Sequence, residues 1–221
     1  MQIISPIQET ILKNFSQAID SSHFYLSGGT ALAYFYLRHR RSNDLDFFTA
    51  TEEIVDPFSR SLEKVLRQYE MSIERRRGAQ SFVELYVQKK DQGTIIHLGQ
   101  DAAFRFEPTI EFPDYRGLRV DSLKDIASNK LLALFGRAAL RDFIDIFFLA
   151  GKGGFTQTTL IQDAKKKDPG FDPYWLAVAF ERIHSFHARS QDMLMLLMPL
   201  SFEDLTVYFD QWRRSLGEEF K

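Results

Sequence analysis

Leu26-Ser27-Gly28-Gly29-Thr30 and, after a short interval, Arg38-His39-Arg40-Arg41-Ser42-Asn43-Asp44-Leu45-Asp46-Phe47 decide the reading of this chain. The first stretch ends a short strand, 24–26, that runs into two glycines and reopens as a helix over 31–39. Such a bend exposes backbone N–H groups with no Cβ to block a phosphate, and the helix start adds the positive end of its dipole. A Gly-Gly turn can equally serve only a backbone that needs positive φ. The second stretch ends on a short strand, 45–48. Alternate residues of a strand point to one face, so Asp44 and Asp46 are neighbours, while Leu45, Phe47 and Phe48 place the strand in or beside the core. Two like charges so close are costly unless a cation lies between them. Paired hard oxygens suit Mg²⁺ or Mn²⁺, and Mg²⁺ typically takes one or two carboxylates plus substrate phosphates. The plainer alternative is a solvated strand edge carrying two surface acids.

Composition frames this pair. The chain has 221 residues, with 28 Lys+Arg against 30 Asp+Glu and a net charge of −2, which excludes a uniformly basic nucleic-acid coat but not a local basic groove. It has no cysteine, so disulfides, thiolate metal sites and cysteine nucleophiles are excluded, as fits a reducing cytoplasm. Met1-Gln2-Ile3-Ile4-Ser5-Pro6 lacks the basic and apolar regions of a signal peptide. No apolar run approaches the roughly 20 residues of a membrane helix. The expectation is a cytoplasmic protein without a membrane partner. The 21 phenylalanines read as core filler.

The pattern predicts an α+β fold: a mixed β-sheet flanked by helices over 1–117, then an all-helical domain over 118–221. Helices are expected at 6–20, capped by Ser5 with Pro6 at its first position, and at 56–70. Strands are expected at 71–75, 81–88, 94–98 and 118–120. Phe82, Leu85 and Val87 do not alternate cleanly, which leaves the register of 81–88 loose. Arg75-Arg76-Arg77 reads as a solvated turn before Gly78 or as a contact to a nucleic-acid backbone. Helices follow at 122–135, 138–150, 158–167, 172–187, 191–197 and 201–216.

Gly28-Gly29-Thr30-Ala31-Leu32 followed by His39-Arg40-x-Ser42-x-Asp44-x-Asp46-Phe47 resembles the signature of the AbiEii/AbiGii-type nucleotidyltransferase toxins, a family within the DNA polymerase β-like superfamily. The resemblance implies a nucleotidyltransferase fold in the N-terminal domain. It implies that Asp44 and Asp46 hold metal ions, that Gly28, Gly29 and Thr30 hold the triphosphate, and that Arg40 and Ser42 line the same pocket. A second block, Ser128-Asn129-Lys130-Leu131-Leu132 with Arg137, Arg141-Asp142-Phe143 and Asp145, is similar to the family's later Lys…Arg…Asp-x-x-Asp motif. At helical intervals Lys130, Arg137 and Arg141 can share one face, as can Asp142 and Asp145. Lys130 would neutralise phosphate charge and Asp145 would orient it, the helical domain thereby contributing to the active-site cleft. Arg137 would contact the nucleotide. The plainer alternative is an exposed helix laced with ion pairs such as Arg141 with Asp145.

One departure stands out. The superfamily usually supplies a third carboxylate from a later strand, and here 94–98 carries His97 where relatives often carry an acid. Imidazole is a poor ligand for Mg²⁺, so His97 acts as a base or softer ligand, or Asp101 reaches in, or one metal binds weakly. The expected function is metal-dependent transfer of NMP from an NTP to an acceptor, the 3′ end of tRNA or a protein side chain, by the toxin of a toxin–antitoxin pair with a cognate antitoxin. The alternatives are a catalytically impaired nucleotide- or protein-binding relative, and a small-molecule (antibiotic) nucleotidyltransferase. Residues 151–221 match no motif.

Overall fold

The computed structural model describes residues 2–218, which divide into two compact units: residues 2–35 with 41–122, and 36–40 with 123–218. The first unit opens with α1 (Pro6–Asn14), started by a reciprocal capping box between Ser5 and Gln8 with Pro6 in its first turn. α1 is shorter than the predicted 6–20. Asn14 turns its side-chain amide back onto the Thr10 carbonyl at 2.8 Å, a local bond that competes with helix continuation, and the chain then tightens into a 3₁₀ turn at Phe15–Gln17.

β1 (Tyr25–Ser27) leads into α2 (Gly28–Ala31), continued by a π-helical stretch over Leu32–Leu37. Next come β2 (Asp44–Thr49), α3 (Val55–Gln68), β3 (Ser72–Gly78), β4 (Phe82–Lys89), β5 (Gln92–Gln100), β6 (Ile110–Glu111) and β7 (Arg119–Val120). The seven strands form one mixed sheet in the order β3-β4-β5-β2-β1-β7-β6. β2 pairs parallel with β5, β1 parallel with β7, and the remaining neighbours are antiparallel.

The sheet's alternation explains its two faces. Val83, Leu85 and Val87 of β4, Ile96 and Leu98 of β5, and Leu45 and Phe47 of β2 are buried, as are Val55, Phe58, Leu62, Val65 and Leu66 of α3. β4 thus alternates cleanly once its apolar set is taken from Val83, with Phe82 on the other face. Phe15 stacks on Phe47 and Phe24 on Phe58, each with centroids 4.0 Å apart; burying each such ring contributes about 1.5–3 kcal/mol. Arg75, Arg76 and Arg77 lie inside β3, not in a turn. Arg75 reaches Asp56, Ser59 and Glu63 around α3, and Arg76 lies over the Tyr86 ring.

The second unit is helical: α4 (Leu123–Arg137), α5 (Leu140–Gly151), α6 (Gln157–Lys167), α7 (Pro173–Phe180), α8 (Gln191–Leu194) and α9 (Phe202–Glu218). The helix expected over 172–187 ends at Phe180 and tightens to a 3₁₀ turn through Ser185. Phe143, Phe180, Phe209 and Trp212 are its largest buried rings. Residues 36–40 are knitted into this unit by Leu197 N–H donating to the His39 carbonyl at 2.8 Å and by Lys152 Nζ donating to the Leu37 carbonyl at 2.7 Å. No helix among the described residues is long and apolar enough to cross a membrane.

Candidate active site

β2 alternates as its sequence demands: Leu45, Phe47 and Thr49 are buried, while Asp44, Asp46 and Phe48 are half-buried on the opposite face. Antiparallel pairing sets Ser27 of β1 against Asp46, which carries the glycine bend to the second carboxylate. Gly28 has φ +70°, a left-handed conformation that glycine adopts without penalty. A Cβ at Gly28 would collide with Asp46 Oδ2 and lie 3.0 Å from its Cγ. The bend therefore requires glycine on two counts, and its bareness gives the Asp46 carboxylate its room. Thr30, fully buried, donates its hydroxyl to the Asp44 backbone carbonyl, so this side chain ties the bend to β2. Ser42 is buried at the entry to β2, its backbone held by Ile3 and by the Gln8 side chain.

On β5, His97 is the direct parallel neighbour of Asp46, and on β4, Glu84 is the antiparallel neighbour of His97. His97 Nδ1 lies 2.8 Å from Asp46 Oδ1, and Nε2 lies 3.5 Å from Glu84 Oε2. The hydrogen bond to Asp46 raises the imidazole pKa above its ordinary value against the opposing effect of burial. Glu84 went unread in the sequence, since only the β4–β5 register reveals it. Asp101 is at the other end: its N–H donates to the Thr49 carbonyl, and its side chain accepts from Tyr25 Oη and Ala102 N–H. Its side chain is thus placed beside Tyr25, past the end of β5.

Asp44 and Asp46 are hard oxygen donors on one face. Among the described residues no group of three or more His, Cys, Asp or Glu is arranged to hold a metal ion. Two carboxylates beside a backbone cradle fit a cation that completes its shell with phosphate and water.

The second motif gathers in the helical unit. Asp145 is fully buried and receives His39 Nε2 and Arg40 Nε at 2.7 Å on Oδ1, with Arg40 Nη2 at 2.9 Å and Lys130 Nζ at 2.6 Å on Oδ2. Burial alone would push its carboxyl up; Arg40 and Lys130 override that and hold it well below the usual range. Asp142, also buried, takes both Nε and Nη2 of Arg137 and lies 3.8 Å from Lys130. Lys130, Asp142, Asp145, Arg40 and Arg137 are thus brought together. Arg141 is exposed, and the Arg141–Asp145 pair is not formed: His39, Arg40 and Lys130 occupy the carboxylate instead. The sequence pointed to Arg40 and Arg137 as nucleotide contacts; here both guanidinium groups hold carboxylates. His39, whose burial lowers its pKa against Asp145's pull, was not picked out as a site residue, because its partner lies 106 residues away.

The profile of a family described as "Nucleotidyl transferase AbiEii toxin, Type IV TA system" matches residues 10–212. The uncharacterised protein aq_aa25 of Aquifex aeolicus is 36% identical over 158 residues, 67% of this chain and 68% of its own length. The crystal structure of a "putative nucleotidyltransferase from H. pylori" has a TM-score of 0.59 at 20% identity, covering 96% of this chain and 94% of that one. MenT4, a nucleotidyltransferase toxin from Mycobacterium tuberculosis, has a TM-score of 0.51 at 18% identity, covering 95% and 81%. The profile match spans both the glycine bend with its Asp-x-Asp strand and the Lys130–Asp145 block, so the chain belongs to the AbiEii nucleotidyltransferase toxin family of type IV toxin–antitoxin systems.

Proposed function

We propose that this chain transfers a nucleoside monophosphate from an NTP to an acceptor hydroxyl, the 3′ end of tRNA or a protein side chain, as the toxin of a toxin–antitoxin pair in the cytoplasm. The acceptor oxygen bonds to the α-phosphorus, the bond from that phosphorus to the bridging β-oxygen breaks, pyrophosphate leaves, and the hydroxyl proton passes to solvent. The observation that carries this reading is the Asp46 carboxylate lying against the bare Gly28 bend, with Asp44 on the same face. Backbone N–H groups at Gly28 and Gly29 bind the phosphate tail. Asp44 and Asp46 would hold Mg²⁺ or Mn²⁺, which when bound neutralises phosphate charge and acidifies the acceptor hydroxyl. Lys130, its ammonium oriented by Asp145, supplies the cationic charge of the helical unit, and positioning with electrostatics does most of the work.

The test is incubation with each labelled NTP, Mg²⁺ and total RNA or cell lysate. Label moves covalently to a macromolecule with the wild-type chain and stays on free nucleotide with Asp44→Ala, which keeps its melting temperature. Unchanged transfer by Asp44→Ala defeats the reading. His97 in the third-acid position favours a second reading, a nucleotide-binding relative without turnover; it predicts NTP binding with no pyrophosphate release for any acceptor.

A further inference from the structure

His97 stands in one row with two carboxylates, between Asp46 on β2 and Glu84 on β4. An acid at that position would put three negative charges on adjacent strands, directly opposite one another, an arrangement that is destabilising without a cation. A ring nitrogen facing an ionised carboxylate at 2.8 Å carries its proton in the neutral and in the charged ring alike. The donor function therefore does not depend on the ring's charge.

The two oxygens of Asp46 have separate surroundings. Oδ1 meets His97 Nδ1, and Oδ2 meets the space where a Gly28 Cβ would be. Phe82 lies along the imidazole with centroids 5.7 Å apart and planes 30° apart, and Glu84 faces Nε2 from the far side. The ring is thus fixed by three neighbours, and it fixes one oxygen of Asp46 in turn.

We propose that His97 is a positioning residue: it donates Nδ1–H to Asp46 Oδ1 and so turns Oδ2 toward the Gly28 bend, giving a site of two carboxylates and an orienting imidazole in place of three carboxylates. The proposal rests on the nucleotidyl-transfer reading and replaces the ideas of His97 as base or as metal ligand. Residues that orient a metal-binding group typically change metal affinity by about 10–100-fold when removed.

The experiment titrates Mn²⁺ alone into the full chain by electron paramagnetic resonance, with wild type, His97→Asn and His97→Leu. Asn places an amide N–H near the position of Nδ1, whereas Leu keeps bulk and removes the donor. The expected result is Mn²⁺ affinity within about threefold of wild type for His97→Asn and at least about tenfold weaker for His97→Leu, at matched melting temperatures and with no directly coordinated nitrogen in the spin-echo modulation. Wild-type affinity in His97→Leu, equal loss in both variants, or a coordinated nitrogen overturns the proposal while leaving the two-carboxylate site standing. A wild-type chain that takes up no Mn²⁺ overturns that site and the proposal with it.

Discussion

At the scale of single residues, Gly28 joins backbone geometry to chemistry. Its left-handed φ and the collision with Asp46 Oδ2 each bar a Cβ at this position. Gly28→Ala is expected to destabilise the chain by about 1–2 kcal/mol from backbone strain and also to displace the Asp46 carboxylate. Differential scanning calorimetry together with NTP turnover checks this: both fall, whereas unaltered turnover shows that the bend does not position Asp46. Asp44 and Asp46 were legible because strand alternation is a local property. Glu84 and the His97–Asp46 hydrogen bond were not, because they depend on which strands pair and in what register. Thr30 shows the same limit in reverse, its motif position suggesting phosphate while its hydroxyl reaches the Asp44 carbonyl.

At the scale of elements, α4 and α5 form a buried charge cluster around Asp145, closed by His39 and Arg40 from the stretch that follows the π-helical turn. The helical spacing of Lys130, Asp142 and Asp145 was readable; the two partners from residues 39 and 40 were not. Removing one partner of a buried ion pair leaves the others uncompensated and costs about 3–5 kcal/mol, so Asp145→Asn is expected to lower the melting temperature strongly. The pH dependence follows in sign. The folded carboxyl is held below its unfolded value of about 3.9, so its contribution is complete above about pH 5 and is lost as pH falls through the folded pKa. The melting-temperature gap between wild type and Asp145→Asn should be constant above about pH 5 and shrink below about pH 4. A gap that widens on acidification contradicts the assignment.

At the scale of the whole molecule, residues 36–40 belong to the helical unit although they lie between β1 and β2 in sequence. Loss of helical structure in that unit therefore frees residues 36–40 at the entry to β2. Trp175 and Trp212, the only tryptophans, both lie in the helical unit, so their fluorescence midpoint should fall in Asp145→Asn; an unmoved midpoint contradicts the placement of the charge cluster in that unit. The α+β organisation was legible from the change in texture after the strands. The two-residue strand β6 was not, being too short to show a period; the helix expected over 31–39 is present, but its π winding over Leu32–Leu37 was not readable.

If the Asp44–Asp46 pair at the Gly28 bend is the seat of nucleotidyl transfer, pyrophosphate release depends on it. Wild type and Asp46→Ala are incubated with each NTP, Mg²⁺ and total RNA or lysate. Wild type should release pyrophosphate with at least one NTP, and Asp46→Ala should lose about 100-fold or more, the scale of removing a preorganised charge at the reacting phosphate. Equal release by a folded Asp46→Ala chain would contradict it.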